Sequence, residues 1–77
     1  MLNEELINVI QEAIEQLPER CKLIFLMAKE ENLKYKEIAE ILSISENTVN
    51  AQIVIALKKL SEKIKKYVHG LCFFILI

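Results

Sequence analysis

"YKEIAEILSISENTV" stands at residues 35–49 and decides the fold of this chain. Its apolar spacing predicts a short helix over 35–42, a tight turn at 43–45 and a longer helix that begins at Glu46. Ala39 is small at the point where the two helices must cross closely. The order and spacing are those of a helix-turn-helix, in which the second helix enters the major groove of DNA.

The residues around the turn explain how such a unit would hold together. We expect Ile44 to plug the turn and Val49 to return to the core one helical turn later. Ser45 is a good N-cap, because its hydroxyl can accept a backbone N–H from the first turn of the second helix. The polar residues that remain then face outward at the start of that helix: Glu46, Asn47, Thr48 and Asn50.

These outward side chains suit base recognition. Asparagine pairs with adenine, and threonine contacts a base edge or the thymine methyl group. Lysines further along the helix can neutralise phosphates. A plain helical hairpin gives the same pattern without any contact to DNA, and it is the alternative interpretation of these residues.

Length and composition limit the fold. Seventy-seven residues make one domain, and 53% hydrophobic residues with one Gly and one Pro favour a compact all-α bundle of four helices. The net charge is −1, but residues 34–77 carry seven lysines and four glutamates, whereas residues 1–33 are acidic. The basic half contains the helix-turn-helix, as a DNA-binding face requires. Solvated lysines near helix ends are the simpler explanation.

The remaining apolar spacing predicts the other helices. The first covers residues 3–16, and the second begins at Pro18 and runs to about Glu31. Because the second helix is apolar nearly all round, we expect it to be central, with neighbours on two sides. The fourth helix should run to about Val68 and end at Gly70. Its core face is expected to contain Val49, Ile53, Ala56, Leu57, Leu60, Ile64 and Tyr67.

The chain therefore divides into a domain at 1–70 and an apolar tail at 71–77. The tail reads LCFFILI and is too short to span a bilayer. We expect it to pack on the domain. Self-association, or docking of a partner protein on the tail, remains the alternative.

Catalysis and metal binding are not expected. No Ser/His/Asp set, Gly-rich loop or carboxylate pair stands out, and His69 has no companion at ligand spacing. Cys21 is expected in the core, and Cys21 and Cys72 show no metal-ligand spacing. The sequence thus predicts no enzyme activity, no cofactor and no metal, in a protein of the reducing cytoplasm without a signal peptide.

Four segments carry a family resemblance. They are QLPERCKLIFL at 16–26, LKYKEIAEIL at 33–42, Thr48-Val49, and ALKKL at 56–60. In this order and at these distances they resemble region 4 of extracytoplasmic-function (ECF) sigma factors over about residues 10 to 66. The apolar end resembles such sigma factors from Bacteroidetes-type bacteria.

The resemblance implies a four-helix domain of the sigma region 4 type, similar to winged-helix proteins, with the helix-turn-helix at 35–66. Its last helix would recognise the promoter −35 element, and its earlier helices would hold the β flap of RNA polymerase, a surface that anti-sigma factors often cover. Carried onto this chain, the base-reading candidates are Glu46, Asn47, Thr48, Asn50 and Ala51. The phosphate candidates are Lys34, Lys36, Gln52, Lys58 and Lys59. A protein-interaction module and a stand-alone helix-turn-helix regulator are the alternatives.

Three departures from the family pattern stand out. Ser43 replaces the usual glycine, and a left-handed serine costs roughly 1 kcal/mol. Val54-Ile55 stand where polar and basic residues are common, which places apolar surface on the recognition helix. Region 2, which melts promoters, has no counterpart here, so we expect a region 4 unit rather than a complete sigma factor.

Overall fold

A computed structural model describes the backbone of residues 4–76 and the side chains of residues 4–68. The described backbone forms four helices joined by short turns, which confirms the all-α, four-helix prediction. In chain order they are α1 (Glu4–Glu15), α2 (Glu19–Lys29), α3 (Tyr35–Leu42) and α4 (Glu46–Leu76).

Proline sets the corner between α1 and α2. Pro18 has φ −53° and ψ 145° and occupies the N-cap of α2, so the helix begins at Glu19 rather than at Pro18 as predicted. The extended ψ turns the chain, and the backbone N–H of Lys22 donates to the Pro18 carbonyl at 2.8 Å. The Lys22 ammonium also pairs with Glu15 at 2.7 Å across the corner. Such surface pairs contribute at most about 1 kcal/mol.

The loop between α2 and α3 begins earlier than predicted. α2 ends at Lys29, and Asn32 adopts a left-handed φ of 55°, a conformation that asparagine tolerates better than most residues. The Glu37 carboxylate accepts the backbone N–H of Lys34 at 2.9 Å and so satisfies a donor at the start of α3. The loop therefore places α3 beside α2.

The core gathers around α4, not around α2. α4 packs against each of the other three helices, whereas α2 packs mainly against α4 and α3. α2 thus has neighbours on two sides, α3 and α4, as predicted, but α4 is the more central helix because it packs against three. The buried residues are Ala13, Leu17, Cys21, Ile24, Phe25, Met27, Ile38, Ala39, Val49, Ile53, Ala56 and Leu60.

Three residues of the predicted core face of α4 lie outside this core. Ile64 and Tyr67 are half-buried. Leu57 is 48% exposed. At about 100° per residue, it lies roughly 70° to one side of the stripe that Val49, Ile53, Ala56 and Leu60 define. It therefore belongs to the rim of the core.

The fourth helix continues beyond its predicted end. It contains 31 residues and passes through Gly70 to Leu76. The prediction that Gly70 ends it is wrong, because within the described backbone Gly70 continues the helix and does not adopt the positive φ of a left-handed stop. A glycine inside a helix costs only about 0.5–1 kcal/mol relative to alanine. At 1.5 Å per residue α4 is about 46 Å long, which accounts for most of the 51 Å longest dimension of the molecule.

The predicted packing of the tail concerns the side chains of residues 71–77, which lie outside the described residues. Among the described residues, no helix has the length and apolarity needed to cross a membrane.

Candidate nucleic-acid interface

The turn between α3 and α4 is closed by a left-handed residue. Ser43 has φ 56° and ψ 46°. The backbone N–H of Ile44 donates to the Ala39 carbonyl at 3.0 Å, and that of Ser43 donates to the Glu40 carbonyl at 3.4 Å. These two bonds form a Schellman motif, which usually has glycine at the left-handed position. The serine thus performs the reversal expected of glycine, and the cost of roughly 1 kcal/mol stays a prediction.

The first turn of α4 is capped as predicted. The Ser45 hydroxyl accepts the backbone N–H of Thr48 at 3.0 Å. The Ser45 carbonyl accepts the N–H of Val49 at 3.1 Å, so the cap and the first helical bond come from one residue. The hydroxyls of Ser45 and Thr48 also lie 2.9 Å apart and share a hydrogen bond. The direction of the helix start is therefore fixed by local bonds.

Packing between α3 and α4 fixes the angle at which the two helices cross and so the direction of the exposed side of α4. Ile38 and Val49 are fully buried, and Ala39 is buried beside them. Ile44 packs against the same core from the turn. The prediction of a small residue at the crossing and of Ile44 in the turn is confirmed. A larger side chain at Ala39 would push α4 away.

The exposed face of α4 carries most of the predicted base-reading residues. Asn47, Asn50 and Ala51 are exposed, as is Glu46 in the first turn. Asn47 and Ala51 are four residues apart and lie on the side of the helix opposite the buried stripe. Asn50 lies toward one side of this face.

Two other candidates are held closer to the domain. Thr48 is half-buried, and its hydroxyl already bonds to Ser45. Gln52 is half-buried, and its backbone carbonyl accepts the Cys21 thiol at 3.3 Å. The structure thus separates these two from the fully exposed positions.

The predicted phosphate contacts form two groups. Lys34 and Lys36 lie at the start of α3, and Lys58 and Lys59 lie on the fourth turn of α4; all four are exposed. Among the side chains of residues 4–68, the ion pair joins Lys22 to Glu15, and the lysines of α4 form none. When a helix lies in a DNA groove, lysines without an ion-pair partner can neutralise nearby phosphates and so strengthen binding.

Glu46 changes the electrostatics of the helix start. Its carboxylate lies in the first turn of α4, where it is stabilised by the positive end of the helix dipole. It would oppose a phosphate held at that end. Glutamate can, however, accept from the exocyclic amine of cytosine. A base contact therefore suits this position better than a phosphate contact.

Cys21 connects α2 to α4 through a hydrogen bond. Burial raises the pKa of its thiol, and the nearby Lys59 ammonium lowers it by a smaller amount. The thiol is thus neutral and able to donate to Gln52. The prediction that Cys21 is a core residue is confirmed, and its hydrogen bond was not visible in the sequence.

One residue of the exposed face was not among the predicted base-reading candidates. Val54 lies seven residues after Asn47 and three after Ala51, so all three share one side of α4. It is 54% exposed. The sequence interpretation noted its apolar surface but did not place it beside Asn47, although the spacing of seven residues already does so.

The fold and the exposed face define a helix-turn-helix domain. Residues 7–60 match the family described as Sigma-70, region 4, and the chain belongs to this family. Among curated proteins it is similar to the RNA polymerase sigma factor FliA of Escherichia coli strains K12, O6:H1 and O157:H7. Each is 38% identical over 66 residues, which cover 86% of this chain.

The chain spans 28% of the length of these relatives. The match confirms the resemblance to region 4. The ECF assignment and the Bacteroidetes-type assignment stay predictions.

Proposed function

We propose that this chain is a sequence-specific DNA-binding domain of a transcription initiation factor and reads the −35 element of a bacterial promoter. The observation that carries the proposal is the capped, exposed first two turns of α4, with Asn47, Asn50 and Ala51 facing away from the core. Membership of the Sigma-70, region 4 family supports it. In this role the chain acts by binding in the cytoplasm and catalyses nothing.

Some of the exposed residues contact bases in this proposal, and others contact phosphates. Asn47 and Asn50 supply paired donors and acceptors for adenine, and Glu46 supplies an acceptor for cytosine. Ala51 leaves room for close approach. Thr48 and Gln52 serve at the edge of the interface, where a backbone N–H or a side-chain amide can reach a sugar or a phosphate. Lys34, Lys36, Lys58 and Lys59 neutralise phosphates on the two strands.

A selection from a random duplex library tests the proposal. The 77-residue chain is incubated with the library at low salt, and the bound sequences are read out. Wild type should enrich a defined element. The Asn47→Ala, Asn50→Ala double variant should lose that preference, since each good bidentate base contact contributes about 1–3 kcal/mol of discrimination.

The matched control is Asn8→Ala, because Asn8 is also exposed but lies on α1. It should keep the wild-type preference. Binding that is equal for all sequences, and that the double variant does not change, would contradict base reading.

A second function concerns RNA polymerase. Leu23 on α2 is 47% exposed, and Ile41 on α3 is 61% exposed. Leu23 and Leu42 line a shallow depression together with Glu19 and Arg20. An apolar strip with charges at its rim suits a helix of another protein. We propose that it binds the β flap of polymerase, and that an anti-sigma factor would compete for it.

Co-purification with an isolated β flap tests this second function. Leu23→Ser should weaken the association, and Ile7→Ser is the control because Ile7 is 40% exposed on α1. Equal loss in both variants would count against a site between α2 and α3. Self-association through residues 71–77 stays a prediction, which sedimentation of the chain at several concentrations checks.

A further inference from the structure

An exposed valine on the presented face of α4 has no role in the core. Val54 is 54% exposed, and its backbone lies inside a regular helix. A β-branched residue is a weaker helix former than alanine or lysine, so neither burial nor helix propensity favours valine here. A role outside the domain would account for it.

The position of Val54 is set by helical periodicity. Asn47, Ala51, Val54 and Lys58 follow one another at intervals of four, three and four residues and therefore form one stripe. At about 100° per residue, the centre of this stripe is roughly 160° from the centre of the buried stripe. All four side chains are exposed. In this stripe an amide precedes Val54 and an ammonium follows it.

The distance along the helix matches the spacing of bases. Asn47 and Val54 are separated by about 10.5 Å of helix, or roughly three base steps of 3.4 Å. If α4 lies along the major groove with Asn47 against one base, Val54 comes close to another base further along, before Lys58 reaches the backbone.

The chemistry of a valine side chain restricts what it can read. It has no donor or acceptor, and the one apolar mark in the major groove is the C5-methyl group of thymine. Ala51 has the same limitation and lies one turn before it. We propose that Val54, with Ala51 beside it, forms a methyl-reading strip that selects thymine in the DNA element bound by α4. This inference rests on the proposed function and specifies one part of its base preference.

Leu57 supplies the rival explanation. It is 48% exposed and lies three residues after Val54, so the two could form an apolar patch for a protein. Leu57, however, lies nearer the core side of α4, whereas Val54 lies with Asn47. Leu57 is therefore a matched control, apolar and similarly exposed, that lies about 60° from Val54 around α4, on the side of Asn50.

The test removes single methyl groups from the DNA. The preferred duplex is first selected from a random library with the wild-type chain. Each thymine is then replaced in turn by deoxyuridine, which lacks only the methyl group, and dissociation constants are measured by fluorescence anisotropy at 50 mM salt. At one or two positions wild type should lose about fourfold in affinity, the effect of burying one methyl-sized group.

The variants assign that loss to a residue. Val54→Ala should bind the thymine duplex about fourfold more weakly and show no further loss with deoxyuridine at that position. Leu57→Ala should behave as wild type in both measurements. Val54 is exposed, so its replacement by alanine should leave the helical circular dichroism and the melting temperature nearly unchanged.

The outcomes separate this inference from the proposed function. A selected element without thymine, or a deoxyuridine effect that is equal in wild type and Val54→Ala, overturns the methyl-reading strip while base reading by Asn47 and Asn50 stands. An equal loss in Leu57→Ala and Val54→Ala also overturns it. If the library shows no preferred element, the proposed function and this inference both fail.

Discussion

The Cys21 thiol on α2 donates a hydrogen bond to the backbone carbonyl of Gln52 on α4 at 3.3 Å. The two residues are 31 positions apart in the chain, and Gln52 lies two turns into the helix that presents the exposed polar face. A buried sulfur thus contacts the reading helix directly. This bond links the core of the domain to the geometry of its proposed interface.

The state of the Cys21 thiol should make stability depend on pH. Burial raises its pKa in the folded chain, so the neutral thiol is favoured by folding. Its contribution is complete below the unfolded value of about 8.5 and is lost as the pH rises through the raised folded value. Melting temperatures of wild type and Cys21→Ala, both with Cys72→Ser, should therefore converge above about pH 8.5. A constant difference from pH 7 to 10 would show that the thiol does not titrate as described.

The N-cap of α4 should contribute measurably to stability. Ser45→Ala removes the acceptor for the Thr48 N–H and should lower the free energy of unfolding by about 1 kcal/mol. Urea denaturation followed by circular dichroism measures the change. Ser61→Ala is the control, because Ser61 is exposed in the interior of α4, where alanine is the better helix former. Equal free energies of unfolding in the Ser45→Ala and Ser61→Ala variants would show that the N-cap does not stabilise the chain.

Replacing the left-handed turn residue by glycine should stabilise the folded chain. Ser43→Gly should raise the free energy of unfolding by roughly 1 kcal/mol, because glycine adopts a φ of 56° without a steric penalty. The same change at Ser61, inside α4, should instead destabilise the chain. Thermal melts of the two variants give opposite shifts if the turn geometry is right. A loss of stability in Ser43→Gly would contradict it.

One isoleucine of α3 should be far more important for stability than its neighbour. Ile38 is fully buried, so Ile38→Ala should cost about 2–5 kcal/mol of folding free energy. Ile41 is largely exposed, and Ile41→Ala should change stability by less than about 0.5 kcal/mol. Denaturation curves measure both. Similar losses would mean that the face of α3 turned toward α4 is assigned wrongly.

The lysines of α4 should determine the salt dependence of DNA binding. Lys58→Gln with Lys59→Gln should reduce the slope of log affinity against log salt by about two and weaken all duplexes alike. Lys29→Gln is the control, since Lys29 lies at the end of α2. Titrations at four salt concentrations give the slopes. An unchanged slope in the double variant would remove these lysines from the phosphate contacts.

The sequence predicted the helix-turn-helix well because its signals are local. The bounds of α3 at Tyr35 and Leu42, the start of α4 at Glu46 and the cap at Ser45 all follow from neighbouring residues. The cost of a left-handed Ser43 was also visible, because it depends on one residue's backbone.

Features that depend on distant parts of the chain were harder to predict. The central position of α4 is set by packing of three helices on one stripe, and the apolar middle of α2 does not reveal which neighbours cover it. Gly70 alone does not end a helix unless its backbone turns left-handed. The thiol bond from Cys21 to Gln52 joins residues that no local pattern connects. The role of the exposed face needs partners, so its residues stay predictions.

Because α4 is one continuous helix, the number of residues between two positions fixes the relative directions of their side chains. Asn47 lies near its start, and Tyr67, five turns later, bonds to Glu5 of α1 at 3.1 Å. One residue inserted between them would rotate everything beyond it by about 100°. The domain would then lose either the packing of α1 against α4 or the orientation of the exposed polar face of α4. The number of residues between Asn47 and Tyr67 is therefore as important for the orientation of the polar face as the side chains themselves.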